Sequence, residues 1–284
     1  MGVNQMNKII GVDAGSTKML MTAEYEGEYI DKTVPTGSDV TPEYLKSEIF
    51  KFIDRLPFVP EGMGMGVVGL VGDETLKMSH LQNLCGMKTE YFSTETFKAH
   101  FINDVKAAMV CEEQFYSQNT AFALIMAGTG FAMSVRTQGV NVLGQDGWAG
   151  EIGSSPYPIN GEIKTLDGIS GGKAILNKAG CSIDELIKAL NNNEKFATDI
   201  IKQGGYYFGL ALSNVIHTFN PEFIVVGGGC TKFKGYMDQA ILTAKQYTLE
   251  DMFNNCKIIE PSDAKRIVAL GAAKFAEIKL NPEY

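Results

Sequence analysis

One phrase occurs twice in this chain. Residues 9–22 read IIGVDAGSTKMLMT and residues 122–135 read FALIMAGTGFAMSV. Each is an apolar run, an Ala-Gly-Ser/Thr corner and a second apolar run. A Gly-bearing turn and a third strand-like run follow each time, EGEYI from Glu26 and QGVNVLG from Gln138. The pattern predicts two β-meanders half a chain apart, and so two similar halves facing one another. Glycine lets the main chain come close to a ligand, and the N–H groups and hydroxyls at such a corner suit the oxygens of a polyphosphate. The first copy carries Asp13 where the second carries Met126, so the halves are alike in shape and unlike in chemistry.

The segments around these phrases fill in an α/β pattern. Thr41-Pro42 opens a helix through about Leu56, with Thr as cap and Pro at the first position. Met63–Val71 reads as a strand, the stretch from Asp73 to His100 is mixed, and Val105–Phe115 reads as a helix. Residues 146–172 read as a loop rich in Gly, Ser and Pro. Helices follow at 173–179, 182–192 and 196–219, then the strand Phe223–Val226 and helices at 234–247 and 263–279. No Pro-, Ser- or Gly-rich tether divides the halves, which predicts a hinge near 104–120.

The formal net charge is −8, and no run of Lys and Arg offsets it. Such a surface repels nucleic acid and anionic membranes, so a phosphate ligand would have to be held by backbone N–H groups, single cations and metal. The five cysteines are odd in number and lack any CxC or CxxC spacing, which argues against a disulfide framework or a tetrathiolate zinc site. The N-terminal apolar stretch is too short for a signal peptide, and no apolar run approaches a membrane span. A cytoplasmic protein with reduced thiols is expected.

Five constellations could carry chemistry. In GVDAGSTK, Asp13 ends a strand and Gly15, Ser16, Thr17 and Lys18 surround the turn. The functional reading has Asp13 hold Mg²⁺ through water while the turn donates to phosphates; the plain reading is a hairpin that needs Gly and Ser for its geometry. No GxxxxGK[ST] occurs, so this is not a Walker A loop. Gly128, Thr129 and Gly130 form the second such loop. Asn103-Asp104 stands at a strand-to-helix corner, where Asp104 could serve as general base for a hydroxyl or simply cap the helix. GWAGEIGSSPYP (147–158) carries Glu151, which could accept hydrogen bonds from sugar hydroxyls or sit in an ordinary surface loop. NPEFIVVGGG ends an apolar strand in Gly227, Gly228 and Gly229, which suits a nucleoside at the carboxyl end of a parallel strand, or a tight turn. A sixth pattern, Gly168-Ile169-Ser170-Gly171-Gly172, matches GxSxG with Asp184, Asp199 and His217 downstream. The segment before it is a poor strand, which argues against a hydrolase nucleophile.

The order of these motifs, GVDAGSTK, Asn-Asp, AGTG, GWAGEIG, SGGKAI (170–175) and NPEFIVVGGG, resembles the ROK family of bacterial sugar kinases and repressors. These belong to the sugar kinase/actin/heat-shock ATPase superfamily. The resemblance runs from about residue 9 to 275. It implies two ribonuclease H-like, actin-like ATPase domains with a cleft between them: residues 1–104 plus a C-terminal helix at about 264–284, and residues 105–263. It implies phosphorylation of a hexose or amino-hexose hydroxyl by ATP with Mg²⁺. Asp104 would be the catalytic base, Asn103, Glu151 and Asp167 would hold sugar hydroxyls, and Asp13, Gly15, Ser16, Thr17, Lys18, Gly128, Thr129, Gly130, Gly228 and Gly229 would surround the nucleotide and metal. A homodimer through the second domain is also implied.

The chain departs from the family pattern in three places. Ser154 stands where the family usually has His after GEIG. The interval SSPYPINGEIKTLDG lacks the family's cysteine-rich zinc loop, so no zinc is expected. The second phosphate loop, GTGFAMS, has fewer glycines than usual. Two alternatives therefore stand beside the kinase: a sugar- or nucleotide-binding protein of the same fold that has lost catalysis, and a relative of the BadF-type ATPases and N-acetylglucosamine kinases.

Overall fold

The computed structural model describes residues 8–281. These form two compact units, one running to Tyr116 and resuming at Lys265, the other spanning Ser117–Ala264.

In the first unit each apolar run of the opening phrase becomes a strand. β1 (Ile9–Ala14) turns at Gly15 into β2 (Lys18–Tyr25), and β2 turns into β3 (Glu28–Pro35). The second turn takes φ of 53° at Glu26 and 82° at Gly27. Two successive positive φ values mark a type I′ turn, whose twist matches that of a hairpin. Helix α1 (Pro42–Ile53) starts where Thr41 accepts the Tyr44 N–H, and it buries Leu45, Ile49 and Phe52. Strand β4 (Gly62–Val67) lies parallel to β1. The mixed stretch after it holds a small hairpin, β5 (Leu70–Gly72) with β6 (Thr75–Met78), and two short 3-10 turns. Strand β7 (Lys98–Asn103) runs straight into helix α2 (Asp104–Glu112). The sheet order is β3-β2-β1-β4-β7.

The second unit repeats that layout. β8 (Phe122–Ala127), β9 (Phe131–Thr137) and the short β10 (Val140–Asn141) form its meander. The turn from β9 to β10 has φ of 50° at Gln138 and 77° at Gly139, a counterpart of Glu26-Gly27. The stretch expected as a loop contains a hairpin, β11 (Pro156–Ile159) with β12 (Glu162–Thr165), turning on Asn160-Gly161. After it come α3 (Leu166–Ser170), α4 (Gly172–Ala179), α5 (Ile183–Asn191) and the long α6 (Lys195–Phe219). Strand β13 (Phe223–Gly227) precedes α7 (Tyr236–Tyr247), α8 (Glu250–Asn255) and β14 (Lys257–Ile259). The sheet order β10-β9-β8-β13-β14 is again an antiparallel meander extended by two parallel strands.

The chain then returns to the first unit as α9 (Ile267–Leu280), which packs on β1, β4 and α2. Strand β4 reads GMGMGV for this reason. Met63 and Met65 point into the core beside Leu45, Ile49 and Phe101. The glycines face α9: a Cβ on Gly64 would lie 1.7 Å from the Ala272 carbonyl oxygen, and one on Gly11 of β1 would lie 2.1 Å from that of Ala269. Backbone meets backbone along this seam, so α9 lies closer to the sheet than side chains would allow. Helix α2, which the sequence reading assigned to the second domain, packs against α9 within the first unit.

Candidate active site

The predicted site residues fall into two groups, one in each unit. In the first unit, Asp13 sits at the end of β1, partly buried, with the turn Gly15–Thr17 beyond it. That turn is fixed from both sides. The Gly15 N–H donates to the Lys18 carbonyl at 3.1 Å, the Thr36 N–H donates to the Thr17 carbonyl at 3.1 Å, and the Thr36 hydroxyl donates to the Gly15 carbonyl at 2.8 Å. Ser16, Thr17 and Lys18 keep solvent access. Burial pushes the Asp13 carboxyl up to about 7; the charge of Asp104 adds to this and Lys18 opposes it.

The corner between β7 and α2 divides two tasks between neighbours. Asn103 is the cap: its Oδ1 accepts the Lys106 N–H at 3.2 Å. Its Nδ2 donates to the Gly69 carbonyl at 3.0 Å and to Asp104 Oδ1 at 3.1 Å. Asp104 occupies the first helical position, where Oδ1 also accepts the Val105 N–H at 2.9 Å. The carboxylate is thus held by a side-chain amide and a helix N-terminal N–H. Gly69 was not among the sequence candidates, because nothing local marks a carbonyl that must meet a side chain 34 residues away.

In the second unit, Gly128, Thr129 and Gly130 link β8 to β9, with the Gly128 N–H donating to the Gly130 carbonyl at 2.9 Å. Two other motifs brace this loop. The N–H groups of Gly172 and Lys173 donate to the Gly128 and Thr129 carbonyls at 2.9 and 3.2 Å. Gly228, at φ 101°, lies under Ala127, where a Cβ would come within 2.4 Å of the Ala127 carbonyl oxygen. AGTG, SGGK and GGG, distant in sequence, therefore form one cluster. Gly229 stays exposed at its edge. Glu151 is exposed on the adjoining loop, which is tied to β9 by the Met133 N–H donating to the Gly150 carbonyl at 2.9 Å. Asp167, on α3, accepts the Phe131 N–H on Oδ1 at 2.7 Å.

Ser170 of the GxSxG pattern is fully buried. Its hydroxyl lies 2.7 Å from the Gly204 carbonyl and 2.6 Å from the Tyr236 hydroxyl, and no strand leads into it. His217 accepts the Leu249 N–H at 3.1 Å. These residues hold helices together rather than form a nucleophile and base. Among the described residues, no three His, Cys, Asp or Glu side chains gather as a metal-ligand set. Asp13, partly buried at the end of β1, fits a different kind of ion. Mg²⁺ keeps several waters and is commonly held by one or two carboxylates together with substrate phosphates. A cation would offset the burial that chiefly raises Asp13 and the charge of Asp104 that adds to it.

A family model described as the ROK family matches residues 9–279. The chain is 25% identical over 265 residues to a glucokinase of Halalkalibacterium halodurans, covering 78% of this chain and 80% of that one. It is 23% identical over 327 residues to a xylose repressor of Caldicellulosiruptor bescii, covering 99% and 82%. It is 20% identical over 250 residues to an N-acetylmannosamine kinase of Salmonella typhimurium, covering 81% and 86%. Among solved structures, a ROK glucokinase from Streptomyces griseus in complex with glucose and AMPPNP superposes with a TM-score of 0.79 at 18% identity, over 94% of this chain and 98% of that one.

Proposed function

The chain belongs to the ROK family, and from that premise we propose that it transfers the terminal phosphoryl group of ATP to a hydroxyl of a hexose or amino-hexose. The observation that carries this reading is the setting of Asp104. Its carboxylate is held at the start of α2 by the Asn103 amide and the Val105 N–H, and it is electrostatically coupled to Asp13.

In this reading Asp104 accepts the proton of the sugar hydroxyl as that oxygen attacks the γ-phosphorus, and ADP departs with the electron pair of the broken P–O bond. The Gly15–Lys18 turn and the Gly128–Gly130 loop present N–H and hydroxyl donors to phosphate oxygens, and Lys18 adds a cation. Gly229, whose Cβ would meet nothing within 4 Å, leaves room for the nucleoside beside Gly228. Glu151 accepts from sugar hydroxyls. Through water, Asp13 would hold Mg²⁺, which when bound neutralises charge on the transferring group. Positioning and electrostatics carry most of the rate.

The relatives named a glucokinase and an N-acetylmannosamine kinase support a sugar acceptor. Two observations favour a second reading, a sugar-responsive binding protein: a relative is named a xylose repressor, and Ser154 stands where the family usually has His. ADP release with Mg²⁺-ATP across glucose, mannose, fructose, allose, N-acetylglucosamine and N-acetylmannosamine separates the two. Sugar-dependent release is expected. Ligand-induced thermal stabilisation without release on any sugar would establish the binding protein instead.

A further inference from the structure

We propose that Asp167 is a positioning residue that clasps the Gly128–Gly130 loop to the Gly150–Gly153 loop, so that occupying either loop strengthens binding at the other. The ligands assigned to the two loops rest on the kinase reading; the clasp itself rests on geometry within the second unit.

Three observations locate the carboxylate. Its Oδ1 accepts the N–H of Phe131, the residue that follows the phosphate loop. A Cβ on Gly130 would lie 2.7 Å from Oδ2 and 2.8 Å from Oδ1, so the carboxylate rests against the loop's last glycine. A Cβ on Gly153 would lie 2.3 Å from Oδ1 and 2.7 Å from the Phe131 carbonyl oxygen. Asp167 is therefore wedged between the backbone of both loops, at two positions that admit it because they lack a side chain.

Its own backbone is equally fixed. Thr165 caps α3 by accepting the Gly168 N–H at 3.1 Å. The Leu166 N–H donates to the Ser155 carbonyl at 3.0 Å, just beyond the Glu151 turn, and Leu166 is fully buried. The Gly171 N–H donates to the Asp167 carbonyl at 3.2 Å, which ties the residue to the SGG corner that braces Gly128 and Thr129. A negative charge next to a loop that receives phosphates opposes the ligand. Its presence there is explained by a backbone N–H that an ionised acceptor holds more strongly than a neutral one. Two loops sharing one rigid wedge lose their freedom together, and a ligand that orders one reduces the cost of ordering the other.

The test uses the full chain with Asp167→Ala and Asp167→Asn. Amide hydrogen exchange is followed over 128–131 and 150–154, and KM is measured for ATP and for the best sugar of the panel. A clasp predicts faster exchange in both loops of the Ala variant and a joint rise in both KM values of about tenfold. Asp167→Asn keeps a neutral, weaker acceptor for the Phe131 N–H and restores part of the protection of both loops and part of both KM values together. Gly153→Ala, which puts a methyl group against Oδ1, reproduces the Ala variant. A rise in the sugar KM alone, equal in Ala and Asn variants and with exchange at 128–131 unchanged, would make Asp167 a hydroxyl ligand and overturn the proposal. If the wild type turns over no sugar, the kinase reading fails, and the exchange of the two loops still decides the clasp.

Discussion

Arg266 grips Asp31 from one side with its Nε 3.0 Å from each carboxylate oxygen, and Lys265 completes the pair. These two cations are the first residues of the first unit after the chain returns from the second. Asp31 lies on β3, so the ion pair fastens the start of α9 to the far side of the sheet from β7. Burial alone would raise the Asp31 carboxyl. Hydrogen bonds from Arg266, Lys265 and Thr22 outweigh it and hold the group at about 2. A carboxylate with a depressed pKa stabilises the fold above its unfolded value and loses that contribution as pH falls through the folded one. Asp31→Asn should therefore cost about 2 kcal/mol at pH 7, a gap that closes between about pH 4 and pH 2. Urea unfolding of both proteins across that range measures it.

Asp104→Asn should lower turnover by about 10²–10⁴, the usual worth of a positioned general base. Sugar affinity should persist, because the amide keeps an oxygen for the Val105 N–H. Isothermal calorimetry beside ADP release separates the two effects. Near-full activity in the variant would remove Asp104 from the base role.

Asp13 behaves in the opposite sense to Asp31. Its folded carboxyl titrates at about 7 against 3.8 when unperturbed. Folding therefore becomes less favourable as pH rises from about 4 to about 7, and the loss is complete above that. Asp13→Asn should raise stability at pH 8 by up to about 4 kcal/mol and make little difference at pH 4, while abolishing turnover. Thermal unfolding at the two pH values tests the sign. The same logic predicts that Asp104→Asn lowers the Asp13 pKa, which carboxyl-carbon NMR reads directly.

Gly64→Ala should destabilise the first unit by about 3 kcal/mol or more, because the new methyl would sit 1.7 Å from the Ala272 carbonyl oxygen, a rigid partner. Gly86→Ala is a poor control, since Gly86 has φ of 83°. Gly229→Ala is better, since its Cβ would meet nothing within 4 Å and its φ is ordinary. A urea midpoint for Gly64→Ala equal to that of Gly229→Ala would refute the close seam.

The duplicated sheets were legible because their signals are local. Paired apolar runs and turns such as Glu26-Gly27 and Gln138-Gly139 announce hairpins without help from the rest of the chain. The same signal at Asn160-Gly161 was masked by Pro156 and Pro158, which make the flanking segment look like a loop, although both sit in a two-stranded hairpin with no further strand to pair. The stretch 73–100 resisted for a different reason. Before β7 it holds one strand of four residues and two 3-10 turns of three, below any usable period. At the candidate site, the sequence could not show how neighbouring residues divide their contacts. That Asn103 is the cap and Asp104 the residue after it is a matter of one position. That Asp167 reaches Phe131 is set by tertiary contacts 36 residues apart.

The seam between α9 and the glycines of β1 and β4 has a consequence for how the protein is made. The sheet of the first unit is synthesised first, yet the helix that covers one of its faces comes last among the described elements. The second unit is continuous in sequence, and all its elements are present once Ala264 has left the ribosome. The half translated first is thus the half completed last, and until α9 arrives, the glycine face of β4 stays bare.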